Sequence, residues 1–411
     1  MVLHGCATRR AIDTVTATND ACVIADSAVS GRVRVGVRGP VRAEYALNPQ
    51  TDAEQFVHRQ VYETLVRIDC NGDLAPGLAR QWSVAGDGRT WSFRLRDGLT
   101  FSDGTLLTAA AVVDGWSARR IDTTFAEVVA AGPNELRIVV NASESIPHVL
   151  AKPQFAVTRH VAGGVSIGTG AYRIGASSNQ QIRLLPRDAT LPSIDVQITS
   201  ADARFALDAG VDAVVSGDAA TVEYARVLPG YITTALPWNR TYVLVAANDS
   251  TSSIGAAARA ALARDAVRGE VRPAEPPFRW QATECLRVAA SRVSATRAIA
   301  YPAEDGIARG LAERIAALTW PASRTPAWLR ALIRPTGRAP TVIPMAEEAL
   351  MRALRTDASL AAVIPVSRTG ACGPAPSGTA LVDARNHLLY RGSIGRVIVD
   401  GDGTLRFGAT R

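Results

Sequence analysis

The 411-residue chain has a single lysine, Lys152, so its formal net charge of +7 at pH 7 is carried almost wholly by arginine. Those arginines are dispersed. A nucleic-acid surface requires a concentrated basic patch or a recognisable reading module, and neither is present, so the charge reads as solvated surface and a nucleic-acid partner is not expected. No stretch approaches the roughly 18 to 20 consecutive apolar residues of a membrane-spanning helix. Cysteine is scarce, and Cys6, Cys22, Cys70, Cys285 and Cys372 form no C-x-x-C pair and have no histidine at ligand spacing, which argues against structural zinc. The last four could form up to two disulfides or remain separate buried thiols. The phosphate-cradling G-x-x-x-x-G-K-[ST] loop is missing, and G-T-G-A-Y-R-I-G lacks the third glycine of a dinucleotide fingerprint, so no nucleotide cofactor is called for.

With 47% hydrophobic residues, the chain has enough apolar material for large cores and enough length for two or three lobes. Its first residues include Leu3-His4-Gly5-Cys6, where a small residue precedes a cysteine as at a lipoprotein cleavage site. Only five residues precede Cys6, whereas a signal peptide carries an apolar core of about 7 to 15. Either the start lies upstream or the match is accidental. Residues 7–30, rich in Ala, Thr, Ser and Asp without a sustained period, suit a tether.

Folded structure is expected to begin at residues 32–38, where Val33, Val35 and Val37 alternate with Arg and Gly. A helix is expected from about Ala53 to Val66, on the stripe Phe56, Val57, Gln60, Val61, Thr64 and Leu65. Residues 61–116 then read as a turn at Asn71-Gly72, a short helix capped by Pro76, and a strand. After a turn at Gly86-Asp87-Gly88 comes a strand alternating Trp91, Phe93 and Leu95, then a turn at Ser102-Asp103-Gly104 and a helix. Trp91 and Phe93, two apart, should share a buried face with Trp82 nearby.

The same stretch resembles the peptide-, dipeptide- and nickel-binding solute-binding proteins, family 5, of ABC importers. The resemblance rests on V-Y-E-T-L-V from Val61, L-A-P-x-L-A-x-x-W from Leu74 to Trp82, D-G-x-T-W-x-F-x-L-R-x-G from Asp87 to Gly98, and F-S-D-G from Phe101 to Gly104. It continues at Gly168–Ile174, residues 193–215 and Leu236–Asn248. Two departures stand out. Ala111 occupies the place where the family has an aspartate at a helix start. Nothing beyond Ser250 matches the W-x-x-D-Y-x-D-P segment whose acid pairs with a bound peptide's amino terminus.

The resemblance implies an α/β fold, a periplasmic-binding-protein-like (class II) two-lobed clamp with an inserted subdomain and a shortened second lobe. Residues 1–30 would be signal remnant and tether. Residues 31–44, 168–248 and 388–411 would form a discontinuous lobe I, with 45–167 its inserted subdomain and 249–387 lobe II. It further implies a non-enzymatic, monomeric component that captures a peptide or other small solute in an interlobe cleft and delivers it to membrane permease subunits, in the periplasm or lipid-anchored at the cell surface through Cys6. Candidate ligand contacts are Tyr45, Tyr172, Trp238, Asn239, Arg240 and Tyr242 near the lobe crossings, although large aromatics also pack in cores. Arg240 and Arg368 are possible partners for an anionic group. Catalytic residues, metal ligands and cofactors are not expected. The alternatives are a degenerate binding fold serving as sensor or scaffold and, second, a serine hydrolase using Ser166 of G-V-S-I-G. The hydrolase motif needs a helix after the serine, and strand-like T-G-A-Y-R-I follows instead. Asp400-Gly401-Asp402-Gly403-Thr404 resembles the start of a calcium loop but reads as a hairpin turn.

Overall fold

Alternation of valine with polar residues makes Arg32–Arg38 a strand, β1, with Val33, Val35 and Val37 buried and its two end arginines exposed. The computed structural model describes residues 10–11, 22–27, 31–141, 145–160, 166–199, 202–246, 280–282, 297–303, 305–319, 338–367 and 379–408. They divide into two compact units, the first comprising Met1–Val214, Tyr390–Asp400 and Thr404–Arg411, the second Val215–Leu389 and Gly401–Gly403.

In the first unit β1 is followed by helix α1 (Asp52–Val61) and a subdomain with strands β2 (Ala79–Val84) and β3 (Thr90–Leu95). Helix α2 (Ala109–Ala118) and strands β4 (Glu127–Gly132) and β5 (Glu135–Val139) come next. The antiparallel sheet runs β2-β3-β5-β4, with Arg10–Ala11 paired to the edge of β2. Trp91 and Phe93 do share a buried face, with ring centroids 6.4 Å apart, and Phe93 stands opposite Trp82 on one side and Leu136 on the other. Helix α2 closes this core with Val112 and Trp116. The helix start that lacks an aspartate at Ala111 is capped from three residues earlier: Thr108 Oγ1 accepts the Ala111 N–H at 3.2 Å. Gly115 faces the Thr158 carbonyl so closely that a Cβ there would overlap it.

Two expectations here need correction. Helix α1 stops at Val61, because Tyr62 is extended and Val66–Ile68 is a strand. Leu74–Pro76 is the strand pairing with it, not a short helix. The amides of Gly77, Leu78 and Ala79 bond to the carbonyls of Leu65, Thr64 and Leu65, partners outside any local turn, and this outweighs a weak helical preference.

The chain then enters β6 (Tyr172–Ser177), β7 (Gln181–Pro186), β8 (Ser193–Thr199), helix α3 (Arg204–Asp208) and β9 (Ala213–Ser216). Strands β6, β7 and β8 are antiparallel neighbours, β8 runs parallel to β1, and Ala213 and Val214 of β9 pair parallel to β1 on its other side. Central β1 is therefore paired along both edges.

The tether reading fails for residues 10–11, which pair with β2, and for residues 22–27. Cys22 is disulfide-bonded to Cys70, and Val23–Asp26 pairs antiparallel with Arg396–Val399, which pairs in turn with Leu405–Gly408. An Asp26–Arg396 ion pair at 2.7 Å fastens the edge. Asp400–Thr404 turns this hairpin, with Gly403 at φ +81°, as expected.

The second unit is built on β10 (Arg240–Ala246), flanked antiparallel by strands that come later in the chain. Its sheet and the helices packed on it are completed by β11 (Trp280–Ala282), β12 (Ala298–Pro302), helix α4 (Gly306–Thr319), β13 (Thr341–Met345), helix α5 (Glu347–Thr356), β14 (Leu360–Ser367) and β15 (Thr379–Ala384). The sheet order is β11-β15-β10-β14-β12-β13. Helix α4 buries Ile307, Leu311 and Ile315 in one cluster with Tyr242 and Leu244, while Leu350 and Leu354 of α5 join a separate cluster with Ala300 and Ala362.

Candidate functional site

Ligands of α/β sheets gather beyond the carboxyl ends of the parallel strands, and in the first unit β1 and β8 end together, with Gly39 N bonded to Thr199 O at 2.9 Å. The segment leaving β1 turns at Gly39, φ +94°, and forms a short 3-10 helix, Ala43–Tyr45. Its organiser is Glu54. Thr51 caps α1 by accepting the Glu54 N–H at 3.1 Å, and the sequence Thr-Asp-Ala-Glu has the spacing of a capping box. The Glu54 carboxylate, however, turns to the preceding segment. It accepts from Arg42 Nε at 2.7 Å, Arg42 N at 3.3 Å and Gln50 N at 2.8 Å, and Glu54 is fully buried. These charge-assisted bonds satisfy an anion that would otherwise be costly to bury. The Glu54 bond raises the Arg42 pKa still further above its ordinary value.

Arg42 lies 4.2 Å over the ring of Tyr45, and its carbonyl lies 3.0 Å from His58 Nε2. His58 is buried, which lowers its pKa, and its Nδ1 has no hydrogen-bond partner among the described residues. The imidazole is neutral, with Nε2 as donor to the carbonyl.

Of the other residues expected to meet a ligand, Tyr172 is fully buried at the start of β6, packed edge-on to Phe407 at 6.4 Å, and burial raises its pKa. Tyr242 is also fully buried, its hydroxyl bonded to Asp305 Oδ2 at 2.9 Å and Oδ1 at 3.1 Å. Asp305 simultaneously caps α4 through the amides of Ile307 and Ala308, and desolvation, with the Asp305 charge, pushes the phenol well above its ordinary pKa. Both tyrosines therefore pack in interiors, for the reason that makes large aromatics ambiguous in a sequence. The structure brings Trp238, Asn239 and Arg240 together at the entrance to β10. The guanidinium of Arg385 lies 4.3 Å over the Trp238 ring, and Asn239 Nδ2 donates to Asp402 O at 3.0 Å. Arg240 stands in register with Ser367 and Ala384. Tyr45 belongs to the first unit, and Arg368, Cys6, Cys285 and Cys372 lie outside the described residues.

Arg42, Glu54, His58 and Arg385 were missed. Only the capping-box spacing at Thr51–Glu54 hinted at any of them, and it pointed to a helix start rather than a site. A histidine near Ser166 was also missed: His160 Nδ1 lies 3.2 Å from Ser166 Oγ across the strand pair Thr158–His160 and Ser166–Gly168. Ser166 nonetheless opens a strand and not a helix. Among the described residues no group of three or more His, Cys, Asp or Glu could hold a metal, and no helix is long and apolar enough to cross a membrane.

Residues 73–189 match the family described as bacterial extracellular solute-binding proteins, family 5, middle region. Over that segment the chain is similar to the family 5 solute-binding proteins. It is 39% identical over 74 residues to the nickel-binding periplasmic protein of Escherichia coli K12, covering 18% of this chain and 14% of that protein. It is 37% identical over 90 residues to the periplasmic murein peptide-binding protein of the same organism, covering 21% and 16%. Only a small part of each relative's own length is thus matched in sequence. The fold likeness is broader. NikA of Brucella suis, solved in complex with Fe(III)-EDTA, superposes with a TM-score of 0.62 at 16% identity, over 91% of this chain and all of that one. The murein tripeptide-binding protein of E. coli gives 0.58 at 15%, over 84% and 81%. The fold of the chain is periplasmic-binding-protein-like, as the motifs between Val61 and Gly104 implied.

Proposed function

We propose that this chain is the extracytoplasmic solute-binding component of an ABC importer, which captures a peptide or other small solute and hands it to membrane permease subunits without chemical change. The observation that carries the reading is the family match over residues 73–189, joined to a fold likeness spanning nine-tenths of the chain. The Cys22–Cys70 disulfide supports an oxidising compartment, where such bonds persist. A ligand favours the closed form of such a protein by binding it better than the open one, and the permease reads that form. Anchoring through Cys6 belongs to the same reading: Cys6→Ser should release the exported protein from the membrane fraction.

The test is a thermal-shift screen against peptides, nickel chelates, sugars and anionic metabolites, because a ligand of the native state raises its apparent stability. A protein that none of these stabilises, from a gene whose deletion leaves their uptake unchanged, would overturn the reading and favour a sensor or scaffold. The Ser166–His160 contact is the one observation on the side of hydrolysis. Covalent labelling of Ser166 by a fluorophosphonate would establish that alternative, and no labelling is expected.

A further inference from the structure

Solute capture leaves open what chemistry the site selects. Arg42 is held on three sides at the carboxyl end of β1. Its Nε edge is bonded to fully buried Glu54, its plane lies over Tyr45, and its own carbonyl is tied to buried His58. Its two terminal amino groups make no hydrogen bond or ion pair with any described residue, and 37% of the side chain is exposed. A guanidinium is planar and permanently charged, and its paired N–H donors match the two oxygens of a carboxylate. Fixing the fork in advance removes much of the side-chain entropy that ordering a free arginine would cost on binding.

We propose that the outward edge of Arg42 is a carboxylate-recognition site for the captured solute, with the Tyr45 ring as the apolar wall beside it and Glu54 as the positioning residue that aims the fork. The proposal rests on the solute-binding reading and adds the ligand's chemical class to it. Glu54 lies inside and is spent on Arg42 and Gln50, so its negative charge is turned away from the exposed edge. Glu44, the other carboxylate acting on Arg42, is exposed to water, which screens it, so the directed N–H pair of Arg42 rather than net charge makes the edge suit a carboxylate.

The experiment uses the full chain and a panel of succinate, citrate, alanylalanine and inorganic phosphate, with succinamide and alanylalanine amide as neutral counterparts, read by thermal shift and calorimetry. At least one carboxylate should raise the melting temperature while its amide does not. Arg42→Met should weaken that ligand roughly tenfold or more, the loss expected when a charged hydrogen-bonding partner is removed. Because Arg42→Met strands the buried Glu54, the double variant Arg42→Met with Glu54→Gln is measured too. It should fold, as judged by its circular dichroism, and show the same loss. Glu54→Gln alone should weaken the carboxylate by more than it weakens the matching amide, a split that a merely structural role for Glu54 would not produce. Equal binding of acid and amide, unchanged affinity in the double variant, preference for phosphate, or no carboxylate response would each overturn the assignment. In all four outcomes, a neutral solute that still stabilises the protein would leave the solute-binding reading standing. A chain that no solute stabilises loses both.

Discussion

Asp400 accepts a hydrogen bond from Arg67 Nη1 at 2.7 Å, although 333 residues separate them, and its other oxygen accepts from Arg406 Nε at 2.9 Å. Asp400 is 2% exposed. Burial lowers the Arg67 pKa, the direction expected when desolvation outweighs the attraction of its partner. Removing one partner of a buried pair leaves the other charge uncompensated, so Asp400→Ala should cost about 3 to 5 kcal/mol. Urea denaturation reads this directly, and a loss under about 1 kcal/mol would show that water reaches the arginines.

Phe93 is fully buried between its cross-strand neighbours Trp82 and Leu136. Phe93→Ala removes a large side chain from a packed core and should cost roughly 3 to 5 kcal/mol. A change below about 1 kcal/mol would mean that β3 does not pack as described.

The Cys22–Cys70 disulfide closes a loop across a separation of 48 residues and ties the strand Val23–Asp26 to the subdomain. Chain entropy alone predicts a stabilisation of about 4 kcal/mol for a loop of this size. The double variant Cys22→Ser with Cys70→Ser should melt lower than wild type and should no longer respond to reductant. Identical melting with and without dithiothreitol in the wild-type protein would refute the contribution.

His58 supplies a pH dependence whose sign follows from burial. Its folded-state pKa lies below its ordinary value of 6.5, so the unfolded chain binds the proton more readily. The stability contribution is intact above about 6.5 and is lost as pH falls below it. His58→Gln should flatten that part of the stability profile, while an unchanged slope would place the acid sensitivity elsewhere.

The elements most legible in the sequence were those whose determinants are local. Alternating valines marked β1, and Trp91 with Phe93 marked the buried face of β3. The misreadings share a cause. Leu74–Pro76 became a strand, and Cys22–Asp26 left the expected tether, because their hydrogen-bond partners are supplied by other segments, the second from the far end of the chain. For the candidate site, aromatic identity could not separate Tyr45, half-buried beside Arg42, from Tyr172 and Tyr242, which are wholly enclosed.

By itself the sequence carried the resemblance to family 5, in four ordered motifs between Val61 and Gly104 whose turns and faces depend on residue type and spacing. It also determined the class of fold, since alternation and helical periodicity are properties of neighbouring residues. Only the tertiary structure decided which charges are paired and which aromatics are sealed. Glu54 spends its carboxylate on Arg42, twelve residues back, and Asp400 joins Arg67 across most of the chain. Such pairings depend on desolvation and on distances of a few ångströms, and both are set by how the segments come together rather than by the order in which they are written.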